Sequence, residues 1–246
     1  MHRPQEEPKT SVVTRRRMLT WIGAAGAAIV AAACDRGSTS ARSPTAAASA
    51  GGAGTGTSGE GVACVLSPEM TEGPFYIDGE AVRRDVTEGK PGVPLTLELN
   101  VADSTTCSPI PDAAVEIWHA DAGGNYSGFN ATADNTTFLR GVQIADANGD
   151  VTFDTLYPGW YEGRATHIHL MVHVGGDVVH TGQLFFDEQI NDAVYARSPY
   201  ADHSGTRMTN DQDGIYANGG VQSMLQLAEV SDGYRGAITL GVQAGS

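Results

Sequence analysis

The chain of 246 residues has few cysteines and few basic residues. Three cysteines are too few for a small fold built around disulfides. Its 15 Lys and Arg residues are outnumbered by 29 Asp and Glu residues, and the net charge of −14 disfavours binding to nucleic acid or to anionic lipid surfaces. Because 41% of the residues are hydrophobic, the chain is too apolar to be disordered throughout, and one globular domain is expected.

No apolar run reaches the ~20 residues of a membrane-spanning helix. The run at residues 21–33 follows Arg15, Arg16 and Arg17 and ends in small residues, which is the layout of a secretory signal peptide. The segment TRRRMLT resembles the twin-arginine export motif. We therefore expect residues 1–33 to be an export signal and the protein to be extracellular or bound to the cell surface.

The segment after the predicted signal allows two fates for the mature protein. Residues 31–34, AAAC, resemble a lipobox, in which Cys34 is lipidated and becomes the only link to a membrane. The alternative is cleavage that releases a soluble protein. Residues 35–60 are rich in Gly, Ser, Thr and Ala and are predicted to be a flexible tether. Residues 61–246 are then predicted to be the folded domain.

The remaining cysteines, Cys64 and Cys107, both lie in the predicted domain. In an exported protein, two such thiols are best explained by one disulfide, and a pair of metal ligands is the weaker interpretation. The bridge would close a loop of about 44 residues and stabilise the domain by ~3 to 4 kcal/mol.

The apolar pattern beyond residue 61 has a period of two. Leu95, Leu97 and Leu99 alternate with polar residues, and similar runs lie at 114–119, 151–156, 167–174, 180–186 and 237–242. Only residues 221–230 show a helical pattern. The chain is therefore predicted to be all-β, an antiparallel β-sandwich or barrel with long loops and little helix.

A loop at residues 146–150 resembles the first half of a calcium-binding EF-hand. Asp146, Asn148 and Asp150 have the right spacing, but Tyr157 occupies the twelfth position, where a bidentate Glu is required. A polar hairpin turn is the better interpretation.

The candidate chemistry lies in residues 157–170, YPGWYEGRATHIHL. His167 and His169 are two apart in a predicted strand, so both rings should lie on one face, which is typical of a metal site. Tyr126, Tyr157 and Tyr161 are candidate oxygen ligands. A phenolate ligand needs a strongly Lewis-acidic ion, and ferric iron suits two phenolates with two imidazoles. Taken singly, each of these residues could instead be an ordinary core residue.

Five segments resemble the intradiol ring-cleavage dioxygenases, the family of catechol, hydroxyquinol and protocatechuate dioxygenases. In order along the chain they are TEGPFYI (71–77), IWHADAGGNYSG (117–128), TLYPGWYEGRATHIH (155–169), TGQLFF (181–186) and NDQDGIY (210–216). The resemblance implies a β-sandwich that holds non-haem Fe(III). It maps the metal ligands to Tyr126, Tyr161, His167 and His169 and leaves Tyr157 as a neighbour.

The resemblance also implies a reaction. A catechol-type ring would be cleaved between its two hydroxylated carbons with O2, giving a cis,cis-muconate-type product. Tyr161 would leave the metal and take a substrate proton, Arg164 would stabilise negative charge on the ring, and Gln183 would position the substrate. An alternative is a non-catalytic exported β-sandwich that binds carbohydrate or a cell-wall partner through Trp118 and Trp160, with a structural metal site.

The acidic composition predicts a substrate preference. From Cys34 onward there are ten basic residues against 27 acidic ones. Few cations can therefore line a pocket for a carboxylate-bearing ring, so neutral catechols should be preferred over protocatechuate.

Overall fold

The computed structural model describes residues 64–129 and 135–243. The predicted export signal at 1–33, the lipidation site at Cys34 and the tether at 35–60 lie outside these residues and stay predictions. In the described part of the chain, no helix is long and apolar enough to cross a membrane.

Two four-stranded sheets form the domain. The strands are β1 (Pro94–Asp103), β2 (Ala114–Trp118), β3 (Arg140–Ile144), β4 (Asp150–Leu156), β5 (His167–Val174), β6 (Asp177–Phe185), β7 (Gln226–Glu229) and β8 (Tyr234–Val242). The first sheet has the order β4-β1-β8-β7 and the second has the order β3-β2-β5-β6. All neighbours are antiparallel except β1 and β8, which run parallel. The predicted all-β sandwich is confirmed.

The core lies between the sheets and follows from the two-residue period of the strands. In β1, Leu95, Leu97 and Leu99 are buried, while the intervening residues are partly exposed. From the second sheet, Ile117 of β2 and Ile168 of β5 enter the same core. Because alternate side chains point to opposite faces, the other set of β5 residues points away from the core, onto the outer face of the second sheet.

The helical content differs from the sequence expectation. One α-helix, α1 (Glu188–Tyr195), begins at Asp187, whose carboxylate accepts hydrogen bonds from the backbone N–H groups of Gln189 and Ile190. Four single-turn 3₁₀ helices lie at Tyr200–Asp202, Asn210–Gln212, Tyr216–Asn218 and Gly220–Ser223. The expectation of a helix through 221–230 is wrong, because the 3₁₀ helix Gly220–Ser223 ends early in that segment and Gln226–Glu229 form β7 along the edge of the first sheet.

The loop at 146–150 is a tight polar turn, as predicted, but it does not join the strands of a hairpin. The Asp146 carboxylate accepts hydrogen bonds from the N–H groups of Asn148 and Asp150 at 2.8 and 3.0 Å. These bonds use the carboxylate within the turn. The turn joins β3 to β4, which belong to different sheets.

The first described residues form a strap, defined here as residues 64–78, that covers the outer face of the second sheet. The Met70 N–H donates to the Thr181 carbonyl on β6 at 2.8 Å. Further along the chain, the Arg83 N–H donates to the Val142 carbonyl on β3 at 2.9 Å. The chain therefore crosses from one edge strand of this sheet to the other. The strap covers the side chains on the outer face of the sheet.

The start of the strap lies beside the loop that follows β1. The Sγ atoms of Cys64 and Cys107 are 2.15 Å apart, and their Cα atoms are 5.4 Å apart. The two residues predicted to form a disulfide are thus placed together in the fold.

Candidate metal centre

Two histidines of β5 lie side by side beneath the strap. His167 and His169 alternate with the core residues Ile168 and Leu170, so both imidazoles point to the outer face of the second sheet. Both side chains are buried, and their Nε2 atoms are 3.0 Å apart. The two rings predicted to share a face do so.

Both imidazoles are held neutral by their surroundings. Burial, reinforced by the Arg164 charge, lowers the pKa of His167 to about 3. Burial also lowers the pKa of His169 well below its usual value. The Nδ1 atom of His167 lies 2.7 Å from the Ala165 carbonyl, to which it must donate its proton. The Nε2 atom of His167 therefore carries a lone pair.

Two tyrosines approach the same lone pair. The hydroxyl oxygens of Tyr126 and Tyr161 lie 3.5 and 3.3 Å from Nε2 of His167. Tyr126 follows a tight turn that begins at Asp121, and Tyr161 begins a tight turn that ends at Arg164. The two segments pack closely, because a Cβ atom at Gly159 would lie only 2.1 Å from the Asp121 carbonyl. Two separate segments of the chain thereby bring both hydroxyl groups to one point.

The Tyr126 turn is itself fixed by a carboxylate. Oδ1 of Asp121 accepts hydrogen bonds from the N–H groups of Gly123 and Asn125 at 3.0 and 2.9 Å. Its other oxygen lies 2.7 Å from Nζ of Lys90.

The convergence of these four side chains is explained better by a shared metal cation than by hydrogen bonds among them. Tyr126, Tyr161 and His169 surround the single lone pair of His167, which can accept only one proton. Burial raises the pKa of both tyrosines above their usual value of 10, so without a cation they are phenols. In the part of the chain that the structure describes, no group of three or more His, Cys, Asp or Glu residues could hold a metal ion. A metal held here would therefore use tyrosine oxygen.

Arg164 and Gln183 lie at the rim of this cluster. Nη1 of Arg164 is 3.5 Å from Nε2 of His167, and Nη2 donates to Oε1 of Gln183. Nε2 of Gln183 donates to the Thr71 carbonyl at 2.9 Å, so Gln183 also links β6 to the strap.

Aromatic rings surround the cluster. The Phe75 ring of the strap stacks on Tyr126 with ring centres 4.3 Å apart and meets Tyr161 edge-on at 5.7 Å. On the far side, the buried Trp118 ring stacks on His169 at 5.0 Å. The donor atoms thus lie in a largely apolar enclosure, in which charge interactions are strong.

Tyr157 and three further histidines lie elsewhere. The Tyr157 hydroxyl donates to Oδ1 of Asn191 at 2.8 Å inside the core, which agrees with its assignment as a neighbour. His119 contacts Thr155, His173 contacts Glu116, and His180 contacts Glu69.

One residue of the site was missed by the sequence reasoning. Oδ2 of Asp213 accepts a hydrogen bond from Nε of Arg164 at 2.9 Å, although Asp213 is distant in the chain. The segment NDQDGIY, which contains it, was recognised as a marker, but nothing in its spacing assigns a role to this carboxylate.

Comparison with known proteins places the chain among dioxygenases. A family described as Dioxygenase matches residues 67–209, more than half of the chain. Catechol 1,2-dioxygenase of Acinetobacter baylyi is 34% identical over 134 residues, which cover 45% of this chain and 43% of that protein. Hydroxyquinol 1,2-dioxygenase of Nocardioides simplex is 30% identical, with 42% of each chain covered. The chain thus matches less than half the length of these two curated relatives.

A solved structure extends the likeness to the whole domain. The intradiol ring-cleavage dioxygenase from Tetranychus urticae is 39% identical and superposes with a TM-score of 0.71. The match covers 73% of this chain and 95% of that one. The chain therefore belongs to the intradiol ring-cleavage dioxygenase family.

Proposed function

We propose that this protein is a non-haem Fe(III) enzyme that opens catechol-type rings between the two hydroxylated carbons with O2, giving cis,cis-muconate-type products. The observation that carries the proposal is the convergence of two neutral imidazoles and two phenols in a largely apolar enclosure. Tyr126, Tyr161, His167 and His169 are the proposed ligands. When bound there, ferric iron would withdraw electron density from a chelated catecholate and so favour its reaction with O2.

Binding of iron would change the protonation of the site. The two imidazoles are already neutral, whereas both tyrosines must lose their protons to serve as anionic ligands. Iron uptake should therefore release protons and become tighter as the pH rises.

Of the two tyrosines, Tyr161 is better placed to exchange a proton with substrate. Tyr126 is 2% exposed and stacked on Phe75, whereas the Tyr161 side chain is partly exposed at the mouth of the enclosure. Once deprotonated as a metal ligand, its phenolate oxygen would be a suitable general base for the catechol hydroxyl. We assign that role to Oη of Tyr161.

Arg164 is the cation that faces the centre. Its Nη1 group lies close enough to the histidine pair to stabilise negative charge that develops on a ring bound beside it. Gln183 hydrogen-bonds both Arg164 and the Thr71 carbonyl. It thereby holds the guanidinium and the strap in fixed positions around that ring.

The test of this function starts from the iron-loaded protein. We expect a broad visible absorption band from tyrosinate bound to ferric iron, a shift of that band when catechol is added without oxygen, and oxygen uptake with a muconate product. A colourless protein that binds no iron and consumes no oxygen would contradict the proposal and favour a binding module.

A matched pair of variants identifies the tyrosine. Tyr161→Phe removes a hydroxyl at the centre, and Tyr157→Phe removes one from the core within the same segment. We expect only Tyr161→Phe to abolish turnover and alter the absorption band, while both proteins stay folded. Equal effects of the two variants would argue against the assigned role.

The charges around the centre support neutral catechols as substrates. The Arg164 guanidinium already faces the buried carboxylate of Asp213, and Nε of Arg140, near the Tyr126 ring, lies 3.9 Å from Glu80. A ring carboxylate would therefore find each nearby guanidinium already beside an acidic side chain. We predict a higher kcat/KM for catechol than for protocatechuate, measured over a range of ionic strength. An equal or better rate with the acid would contradict this preference.

We also propose that the domain acts outside the cytoplasm. The support is the sequence of the leader, Arg15-Arg16 before an apolar run that ends at Cys34. Replacing both arginines by lysine should retain the protein inside the cell, as cell fractionation would show. Cys34→Ser separates the two fates, because it abolishes membrane attachment only if Cys34 is lipidated.

A further inference from the structure

Asp213 is a buried acidic residue beyond the end of the family match at residue 209. It directly follows the 3₁₀ helix Asn210–Gln212, and its side chain is 2% exposed. A carboxylate at this depth is costly unless it is hydrogen-bonded and paired with a cation.

Both oxygens of Asp213 are fully used. Oδ1 accepts hydrogen bonds from the N–H groups of Ile215 and Tyr216 at 2.7 and 3.4 Å. Oδ2 accepts from Nε of Arg164 at 2.9 Å and from the Ala165 N–H at 2.8 Å. Burial alone would raise the pKa of this carboxyl, but the hydrogen bonds and the Arg164 charge hold it below its usual value. The group is therefore an anchored anion.

The guanidinium of Arg164 is held at two of its three nitrogens. Asp213 binds Nε and the Gln183 carbonyl oxygen binds Nη2, which leaves Nη1 directed toward Nε2 of His167 at 3.5 Å. A free arginine side chain has many rotamers, whereas this one is fixed by a charged partner on one side and an amide on the other.

The same carboxylate also fixes the backbone beside the metal centre. Asp213 binds the Ala165 N–H, and the Ala165 carbonyl in turn accepts the proton of His167 Nδ1 at 2.7 Å. The segment that carries both Arg164 and His167 is thus attached to the 213–216 loop at two points.

We propose that Asp213 is a positioning residue that clamps the Arg164 guanidinium so that only Nη1 faces the aromatic ring bound at the metal centre. This proposal rests on the proposed ring-opening function, because the orientation of Arg164 affects the reaction only if a ring is bound and opened at the metal centre. Among the described residues, Asp213 makes no hydrogen bond or ion pair with the four proposed ligands. It acts on the site through the segment 164–167, chiefly through the Arg164 guanidinium.

A double-mutant cycle tests this dependence. Asp213→Ala should lower kcat/KM for catechol by about 10- to 100-fold, the range expected when a hydrogen bond to a charged group is lost. In an Arg164→Ala background, the same change should cause a much smaller loss, because only the contact with the Ala165 N–H is then removed. Losses that multiply in the double variant would overturn the proposal, because Asp213 would then act independently of Arg164.

A neighbouring acid provides the matched control. Asp211 lies two residues earlier in the same segment and is exposed, and its side chain accepts a hydrogen bond from the Thr209 hydroxyl, away from Arg164. Asp211→Ala should leave kcat/KM near the wild-type value. If Asp213→Ala does not fold, Asp213→Asn replaces it. Asn has no charge and one side-chain oxygen, so a smaller loss in the same direction is expected.

A second measurement on the iron-free protein separates this proposal from the function on which it rests. With ¹⁵N-labelled arginine, the Nε–H signal of Arg164, assigned by its loss in Arg164→Lys, should be protected from solvent exchange. Asp213→Ala should remove that protection and Asp211→Ala should not. Equal exchange in the wild type and in Asp213→Ala would overturn the clamp. Absence of oxygen uptake by the iron-loaded wild type would instead overturn the proposed function.

Discussion

Gly73 determines how closely the strap approaches the metal centre. Its backbone has a φ of +71°, a conformation that favours glycine, and a Cβ atom there would lie 3.0 Å from Cε1 of His169. The strap can therefore press its backbone against the imidazole only because this residue has no side chain. The close approach to His169 thus gives a steric reason for a glycine at this position of the segment TEGPFYI.

Replacing this glycine should perturb His169 as well as the backbone. Gly73→Ala should cost about 1 kcal/mol in backbone strain and should also displace the ring, so that iron binding weakens about 10-fold or more. Iron titration monitored by visible absorption, together with urea unfolding, would measure both effects.

Gly79 is the matched control for this substitution. It also has a positive φ, of +93°, but a Cβ atom there would meet no atom of the described residues within 4 Å. Gly79→Ala should therefore show the strain without the loss of iron affinity. Equal iron affinities in the two variants would show that the contact with His169 has no effect on the site.

At the scale of elements, the sequence predicted six of the eight described strands and missed β3 and β7. The alternation of apolar residues in β1, β4 and β5 reflects burial of one face against the core, which is a local signal. β3 and β7 are edge strands in which no apolar side chain is fully buried, so neither carries the alternation that burial of one face produces. Their places in the sheets depend on pairing with partners distant in the chain.

The helix α1 was missed for a related reason. Its eight residues contain only two buried side chains, Asn191 and Val194, so it has no continuous apolar stripe. Its start is fixed by the Asp187 cap rather than by periodicity.

The strap is the element whose position depends most on a covalent link. If Cys64 and Cys107 form a disulfide, reduction should lower the free energy of unfolding by ~3 to 4 kcal/mol, because the bridge restricts the unfolded chain. The strap also carries Gly73 and Phe75 to the metal centre, so its release should weaken iron binding. Unfolding curves with and without reductant would measure the first effect, and iron titration the second.

Thiol alkylation followed by intact mass measurement tests the bond itself. Before reduction, Cys64 and Cys107 should resist alkylation, and after reduction both should react. Cys34→Ser is the control, because it removes the third thiol and should leave the protected pair unchanged. Alkylation of both residues in the unreduced, unfolded protein would contradict the bridge.

At the scale of the whole molecule, the metal centre draws on segments from most of the domain. The alternation of β5 predicts that His167 and His169 share a face, and the family resemblance supplied the two tyrosines. Asp213 could not be assigned in this way, because its role depends on contacts with Arg164 and Ala165, nearly 50 residues away in the chain. No local pattern encodes such a contact.

His119 links the two sheets and should make the stability of the domain depend on pH. It directly follows β2 of the second sheet and is fully buried, and its Nε2 atom accepts the Thr155 hydroxyl proton from β4 of the first sheet at 2.7 Å. Its Nδ1 atom lies 2.9 Å from the Ala120 carbonyl, to which it donates. Burial lowers the pKa of His119 from 6.5 to about 4. The folded protein therefore requires a neutral ring in a pH range where the unfolded chain binds a proton.

The sign of the effect follows from that difference in proton binding. The contribution of His119 to stability is fully present above pH 6.5 and is lost as the pH falls toward 4, by about 2 kcal/mol at pH 5. Urea unfolding of the iron-free protein at pH 7 and pH 5 should therefore show a smaller loss in His119→Gln than in the wild type. The comparison at pH 7 measures the cost of the substitution itself, so the difference between the two pH values isolates the titration. Identical losses in the two proteins would show that His119 does not couple the packing of the sheets to pH.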